Sequence, residues 1–350
     1  TTEIYTLSLH DALPISDVRN ARSSGIVSFH ITSTRLENGE IDLHRSNADP
    51  VEAAIAGATR AARLLDTGGD AHRSAVWRGA CEIAGPLVTG FVLWTLIEAR
   101  RRGLNALHFL ARDGQIMCGV ARRLLPLLDR PIECRYLYAS RQALFLPSIS
   151  AIDAPTVEWL LRYPAKTTLA GMLGRVELEP ESCADALAES GVAVDAGSLQ
   201  EIGLDRVRTL LSHSAISTRI LSTAAERRRA LLAYLDEVGF WSGGAAIVDV
   251  GWHGRLQLAL GRALAAEGRL PPQGLRGFYL SLYQTPSDPV AGEFVPYIAS
   301  SIGATAEEKY PNGSLVEVFF AADHGSLQRY ECDQQGGRVE CVLQESRNTR

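Results

Sequence analysis

Four short runs rich in β-branched and aromatic residues, ALHFLA, CRYLYAS, AAIVDV and LRGFYLSL, each run into a polar turn. Amphipathic, helix-period stretches separate them, among them QIMCGVARRLL after the first run and RLQLAL after the third. A chain that alternates apolar strands with helices closes most readily into a parallel sheet covered on both faces. Between the second and third runs, Ala151 to Phe240 carries almost nothing but helical patterns, including APTVEWLLRY and ISTRILSTAAERRRALLAYLDEVG. The expected architecture is therefore α/β: a Rossmann-like parallel sheet with a helical insertion subdomain over 151–240. Within that insertion, ERRRA (Glu226 to Ala230) reads as a solvated helix face.

The rest of the chain is read the same way. Ser16 to Ile31 predicts a helix capped by Ser16 or Asp17 and ended by Gly25, then a strand, IVSFHI. The stretch ADPVEAAIAGATRAARLLD predicts a helix with Asp49 as its cap and Pro50 in its first position. The uncharged run Ile83 to Ile97 is shorter than the 18 or so residues of a bilayer span and predicts a buried helix from Pro86 to about Gly103. Charged residues are 21% of the 350, with a net charge of -5, which argues against a nucleic-acid surface. Six scattered cysteines without a C-x-x-C pair argue against a metal or disulfide framework and for a reducing compartment, although Cys332 and Cys341 stand where a hairpin would face them together. No secretory signal opens the sequence given, and the cytoplasm is the expected location.

Ligands of open α/β sheets bind beyond the carboxyl ends of the strands. Three polar turns are expected there: Arg112-Asp113-Gly114, Ser140-Arg141, and Asp249 with Gly251, Trp252, His253, Gly254 and Gln257. Asp113 and Asp249 suit Mg²⁺ or a nucleophilic role, and His253 suits acid–base work. Arg112 and Arg141 match phosphate oxygens, while Gly114 and Gly254 let a ligand approach the backbone, and Gly251 belongs to the same expected ligand site. Ser140, Trp252 and Gln257 complete the expected ligand contacts. The same residues admit a structural assignment: both acids as helix caps, both arginines as their ion-pair partners, Trp252 as core and His253 as surface. Asp323 and His324 form a further, weaker candidate at a helix end, and Glu317 reads as a buried partner for an arginine.

The segments LHFLARDGQIM, YLYASRQALFLPS, IVDVGWHGRLQ and VEVFFAADHGSLQRY together resemble the large bacterial hydrolases of the haloacid dehalogenase (HAD) superfamily, which are associated with surface-polysaccharide synthesis and sometimes joined to glycosyltransferase modules. The segment SDVRNARSSGIVSFHI is similar to the tail of a HAD phosphatase domain, with Asp17 matching its last Mg²⁺-site acid. The resemblance implies a HAD-like remnant plus linker helix over 17–70, a Rossmann-like domain over 71–350, and Mg²⁺-dependent hydrolysis of a phosphorylated sugar or related metabolite. The chain departs from that pattern where the second acid of an Asp-x-Asp motif belongs, because Gln115 stands there. That departure keeps two other functions open: a non-catalytic module binding a phosphorylated or nucleotide-sugar ligand, and a glycosyl- or phosphoribosyl-type transferase. The opening TTEIYTLSLHDALPIS resembles translated sequencing adapter over residues 1–16. Deleting Thr1 to Ser16 is expected to leave the melting temperature unchanged within about 1 °C, measured by circular dichroism; a loss of several degrees would make the segment part of the fold.

Overall fold

The computed structural model describes residues 17–27, 36, 40–41, 50–65, 69–129, 132–241, 244, 246–298, 317–333 and 338–345. They belong to two compact units, Thr1–Leu87 and Val88–Arg350.

In the first unit, α1 (Asp17–Ser23) ends just before Gly25, whose φ of +73° supplies the left-handed turn that stops a helix. Helix α2 (Pro50–Leu64) begins on its proline as expected, while Asp49 and the predicted strand residues Ser28 to Ile31 lie outside the described residues. Arg63 of α2 makes a two-pronged pair with Glu40, at 2.8 and 3.0 Å, and both side chains are buried.

The apolar run does not start a helix at Pro86. Asp70 caps a helix at Ala71 by accepting from the Arg73 N–H at 2.8 Å. The helix continues through a wider π turn, Ala80–Ala84, into Gly85–Arg101. Pro86 follows directly on that turn, where the ordinary i to i−4 ladder has already been displaced and its missing N–H is tolerated. The 31 residues of Ala71–Arg101 are long and apolar enough to cross a membrane by length and composition, with a mean hydropathy of 1.6 over 18 residues, 33% of them buried. The count of uncharged residues alone understated this length. The carboxyl half of this helix, from Val88, is core: Phe91, Val92, Leu96 and Ala99 are fully buried, and Trp94 meets the edge of Phe278 at 5.9 Å.

The second unit is built on five parallel strands in the order β2-β1-β3-β4-β5. They are β1 (Ala106–Leu110), β2 (Glu133–Leu137), β3 (Ala246–Trp252), β4 (Arg276–Leu282) and β5 (Glu293–Ile298). The first four are the predicted strands. The fifth is an edge strand that tolerates Pro296 because one side of an edge makes no ladder bonds. The hairpin that the spacing of Cys332 and Cys341 allowed does form, as antiparallel β6 (Leu327–Cys332) with β7 (Val339–Leu343). It opposes Cys341 to Tyr330 and Cys332 to Val339, so the two thiols do not pair and both are free.

One sheet face packs on Arg141–Ser148, Arg255–Ala266 and the carboxyl half of the 24-residue helix Ser214–Glu237. The amino half of that helix buries Ile216, Ile220 and Ala224 in a second core made by the insertion's other helices. Its middle is only in part the solvated face that ERRRA suggested: Glu226 and Arg229 are exposed, but the stretch also turns residues inward. Arg228 is 5% exposed and donates to the carbonyls of Pro147 and Ile149, both at 3.1 Å, and to Glu267 at 3.1 Å. Arg227 pairs with Glu177 at 2.7 Å. The insertion and the sheet thus share one continuous helix with a buried guanidinium at their junction.

His108, in the middle of β1, is fully buried against Phe240 with neither ring nitrogen hydrogen-bonded. Burial, reinforced by Arg135, lowers its pKa from 6.5 to about 4. The unfolded chain protonates this imidazole near 6.5 and the folded chain does not. Its contribution to stability is therefore complete above pH 6.5 and is lost as pH falls toward 4, by roughly 2 kcal/mol at pH 5. A His108→Leu variant should lose less melting temperature than wild type between pH 7.5 and pH 5.0, by several degrees in scanning calorimetry; parallel losses in the two proteins would exclude this site as the source.

Candidate functional site

Strand order places the site. The chain leaves β1 toward β2 on one side, and β3 then pairs with the other side of β1, so the topology reverses between β1 and β3. At such a point the flanking connections diverge and open a crevice past the strand ends. A cavity of about 460 Å³ lies there, lined by Arg112 and Asp113 after β1, Ser140 and Arg141 after β2, and Asp249, Gly251, Trp252 and His253 from β3. Eight of the residues expected from the sequence are thus brought together.

Gly114, Gly254 and Gln257 are not on the cavity wall. A Cβ on Gly114 would stand 2.6 Å from the Phe109 carbonyl carbon, so this glycine lets the following helix lie against β1. A Cβ on Gly254 would run into the ring of Phe294. Gln257 is fully buried and fastens the far sheet edge: its amide donates to the carbonyls of Ala291 and Glu293, at 2.5 and 3.0 Å, and accepts from the Tyr279 hydroxyl at 2.9 Å. Ser140 lines the cavity but commits its hydroxyl to the frame. It caps Arg141–Ser148 by accepting from the Ala143 N–H and donates to the Leu327 carbonyl at 2.6 Å.

Neither acid is a helix cap. Asp113 stands at the start of Gly114–Leu124 without a side-chain cap bond, and the helix after β3 starts at Gly254 with none. Nor do Arg112 and Arg141 pair with them: no ion pair forms at either arginine among the described residues. Asp249 is 9% exposed, on a strand whose preceding three residues are fully or almost fully buried. Burial first, then the neighbouring Asp113 and Glu317 charges, push its pKa up to about 7, against the pull of the Val250 N–H and Arg141. Asp113 is raised to about 6 by burial and Glu317, opposed by Arg112. His253 moves the other way, lowered by burial and by the Arg255 and Arg162 charges, which keeps its imidazole neutral at pH 7.

The backbone beneath His253 is unusual. Gly251, Trp252 and Gly254 all have positive φ, at +116°, +78° and +59°. A side chain at Gly251 would collide with the Ser281 carbonyl, so that glycine is required by the approach of β3 to β4. Trp252 has no such freedom, and its conformation costs on the order of 1 kcal/mol or more. Its carbonyl accepts from the Tyr283 N–H at 2.8 Å, its ring stacks on Tyr283 at 5.0 Å, and its indole N–H donates to Glu317 at 2.6 Å. Trp252 is half-buried and lines the cavity, so it is neither plain core nor free platform.

Sequence reasoning missed Arg162, Arg255 and the placement of Glu317. Arg162 reaches the cavity from the insertion, and Arg255 opens the helix after β3. Glu317 is exposed and bonded to Trp252, not buried against an arginine. Asp323 and His324 are outside the cavity wall. Asp323 exchanges two hydrogen bonds with Gln115, at 2.6 and 3.1 Å, and His324 bonds the Tyr136 hydroxyl at 2.7 Å.

No protein-family model and no curated protein matches this chain.

The raised acids set a sign for stability. A carboxyl protonated in the folded state near pH 6–7 and in the unfolded state near 3.8 lowers stability as pH rises between those values. Asp249→Asn removes one such group. Its melting temperature should match that of wild type at pH 4 and exceed it by several degrees at pH 8 in metal-free buffer. Equal melting temperatures at both pH values would show that Asp249 carries no electrostatic strain.

Proposed function

We propose that the cavity binds a phosphorylated sugar or related small metabolite and hydrolyses its phosphoester with the help of Mg²⁺. The observation that carries this is the meeting of Asp113 and Asp249, from adjacent strand ends, with Arg112 and Arg141, which make no ion pairs among the described residues. Clustered cations and anions that do not neutralise one another suit a ligand that is itself part anion and is accompanied by a cation.

The donor set fits Mg²⁺. This ion takes one or two carboxylates and leaves its remaining positions to water and substrate phosphate. Asp113 and Asp249 supply the two carboxylates, and among the described residues there is no group of three or more His, Cys, Asp or Glu that would cage a metal. When bound, Mg²⁺ would offset the charge of the two acids and draw electron density from the phosphoryl oxygens. Arg112 and Arg141 hold those oxygens through planar, paired N–H donors. Asp113, on the turn after the first strand as in the HAD superfamily that the chain resembles, attacks phosphorus and displaces the alcohol oxygen, which takes a proton from water. Neutral His253 accepts the proton of the water that then releases phosphate. A role in surface-polysaccharide synthesis, beside a glycosyltransferase module, rests on the same resemblance, and the cytoplasm on the scattered cysteines and the absence of a secretory signal from the sequence given.

Gln115 favours a second function, ligand binding without turnover. It stands where the second acid of such hydrolases belongs, and its amide is spent on Asp323.

The two are separated by measuring phosphate release and calorimetric binding on one panel of sugar phosphates with Mg²⁺. Hydrolysis predicts release that Asp113→Asn lowers by at least about 10³-fold, and Mg²⁺-dependent binding that Asp249→Ala abolishes. Binding without release in wild type would assign the module function. A wild type that neither binds nor releases would overturn both.

A further inference from the structure

Beyond the groups around its carboxylates, the cavity carries two further arginines on its wall, Arg162 and Arg255. Arg141, Arg162 and Arg255 share its wall with His253 and form no ion pair among the described residues. Arg255 is held below the ordinary guanidinium range first by burial and then by the Arg162 charge, with Arg141 adding to it against Tyr163 and Glu158. Like charges gathered on one wall repel, and the fold holds the half-buried Arg162 and Arg255 there by specific means. The carbonyl of Arg162 accepts from the Thr167 hydroxyl at 2.9 Å. Arg175 braces the same loop, donating to the carbonyls of Trp159 and Leu160, at 3.1 and 2.7 Å, and to the Thr167 hydroxyl at 3.0 Å. The Arg162 guanidinium rests on the Tyr163 ring at 4.8 Å and donates to its hydroxyl at 3.0 Å. Arg255 stands in the first turn of a 12-residue helix whose amino end has no side-chain cap, so its free N–H groups add to the positive field.

Charge balance distinguishes one phosphoryl group from two. With every group ionised, Arg112, Arg141, Arg162 and Arg255 exceed Asp113, Asp249 and Glu317 by one positive charge. One Mg²⁺ brings the excess to about +3, whereas a phosphomonoester carries only about −2. A terminal diphosphate, near −3, matches it.

We propose that Arg162 and Arg255, with Arg141 shared between the two phosphoryl groups, form a second anion subsite and that the ligand is an organic diphosphate, its terminal phosphoryl group at Asp113 and its inner one on these arginines. This rests on the phosphate-binding role proposed above and deepens it. It also gives the insertion a part in specificity, because only Arg162 comes from it.

The test is calorimetry on the full chain with Mg²⁺, using inorganic phosphate, inorganic pyrophosphate, a sugar monophosphate and a nucleoside diphosphate as probes. Wild type should bind pyrophosphate at least about 30-fold more tightly than phosphate, and the nucleoside diphosphate more tightly than the sugar monophosphate. Arg162→Gln and, independently, Arg255→Gln should each lower that preference at least about tenfold. Each should also leave phosphate affinity within about threefold and the circular dichroism melt unchanged. Phosphate bound as tightly as pyrophosphate by wild type would overturn the diphosphate subsite while leaving the phosphate site standing. A preference that survives in both variants would do the same. Failure of every probe to bind would overturn the phosphate site and this subsite together. Tight pyrophosphate binding with a weak nucleoside diphosphate would assign the subsite to a diphosphate without a nucleoside, such as a sugar diphosphate.

Discussion

The parallel pairing of β1 with β3 is the constraint on which the second unit depends. Leu107 to Phe109 lie beside Ala246 to Val248, although the whole helical insertion separates them in sequence. Once those strands are adjacent and parallel, Asp113 and Asp249 must emerge at the same edge. The insertion must then leave and return so that β3 can start at the opposite edge. The long helix Ser214–Glu237 makes that return. It needs its full length because it leaves one core, crosses to another and delivers the chain to the start of β3.

That continuity also decides what kind of body the insertion is. A lid on two flexible strands would move independently of the sheet. Here Arg228, buried at the junction, answers two carbonyls that would otherwise be left without partners, those of Pro147 and Ile149. A buried charge is retained only where its hydrogen bonds are satisfied. Its removal leaves both carbonyls unpaired, so the junction resists opening. Arg162 is therefore presented to the cavity by a packed element, and Arg175 makes the final correction to its loop. Precision of this order is what a binding group gains from a rigid support.

The central strands were legible because both their faces are buried, which forces near-continuous apolar runs such as AIVDV. Strand β5 was not, because an edge strand is half-covered and its pattern in EFVPYI, interrupted by a proline, is weak. The hairpin strands LQRYEC and VECVL are likewise half-covered and interrupted by charge, at Arg329, Glu331 and Glu340. Within the site, residues following a strand were found and residues brought by folding were not. Asp113, Arg141 and Asp249 sit next to recognisable strands; Arg162 sits on a turn among helices, and nothing nearby in sequence marks it. Arg255 carried a signal that went unused, its place in the first turn after a strand-end glycine. Gly114, Gly254 and Gln257 failed in the opposite way. A glycine beside a strand end serves close packing as readily as ligand approach, and only the neighbours Phe109 and Phe294 show which.

Two departures from a stable core oppose each other in their response to acid. His108 must stay uncharged and favours higher pH, while Asp113 and Asp249 resist ionisation and favour lower pH. The histidine has no hydrogen-bond partner among the described residues and does not line the cavity. The carboxylates face open space beside arginines that could have neutralised them through ion pairs, as Arg227 does for Glu177. A fold selected only for stability gains by closing such pairs or by replacing the acids with amides. Holding opposite charges apart around a cavity has no structural return, and it is relieved only when something carrying both kinds of partner enters. That asymmetry, more than any single residue, is what supports the proposal that the protein meets its ligand in the crevice between β1 and β3.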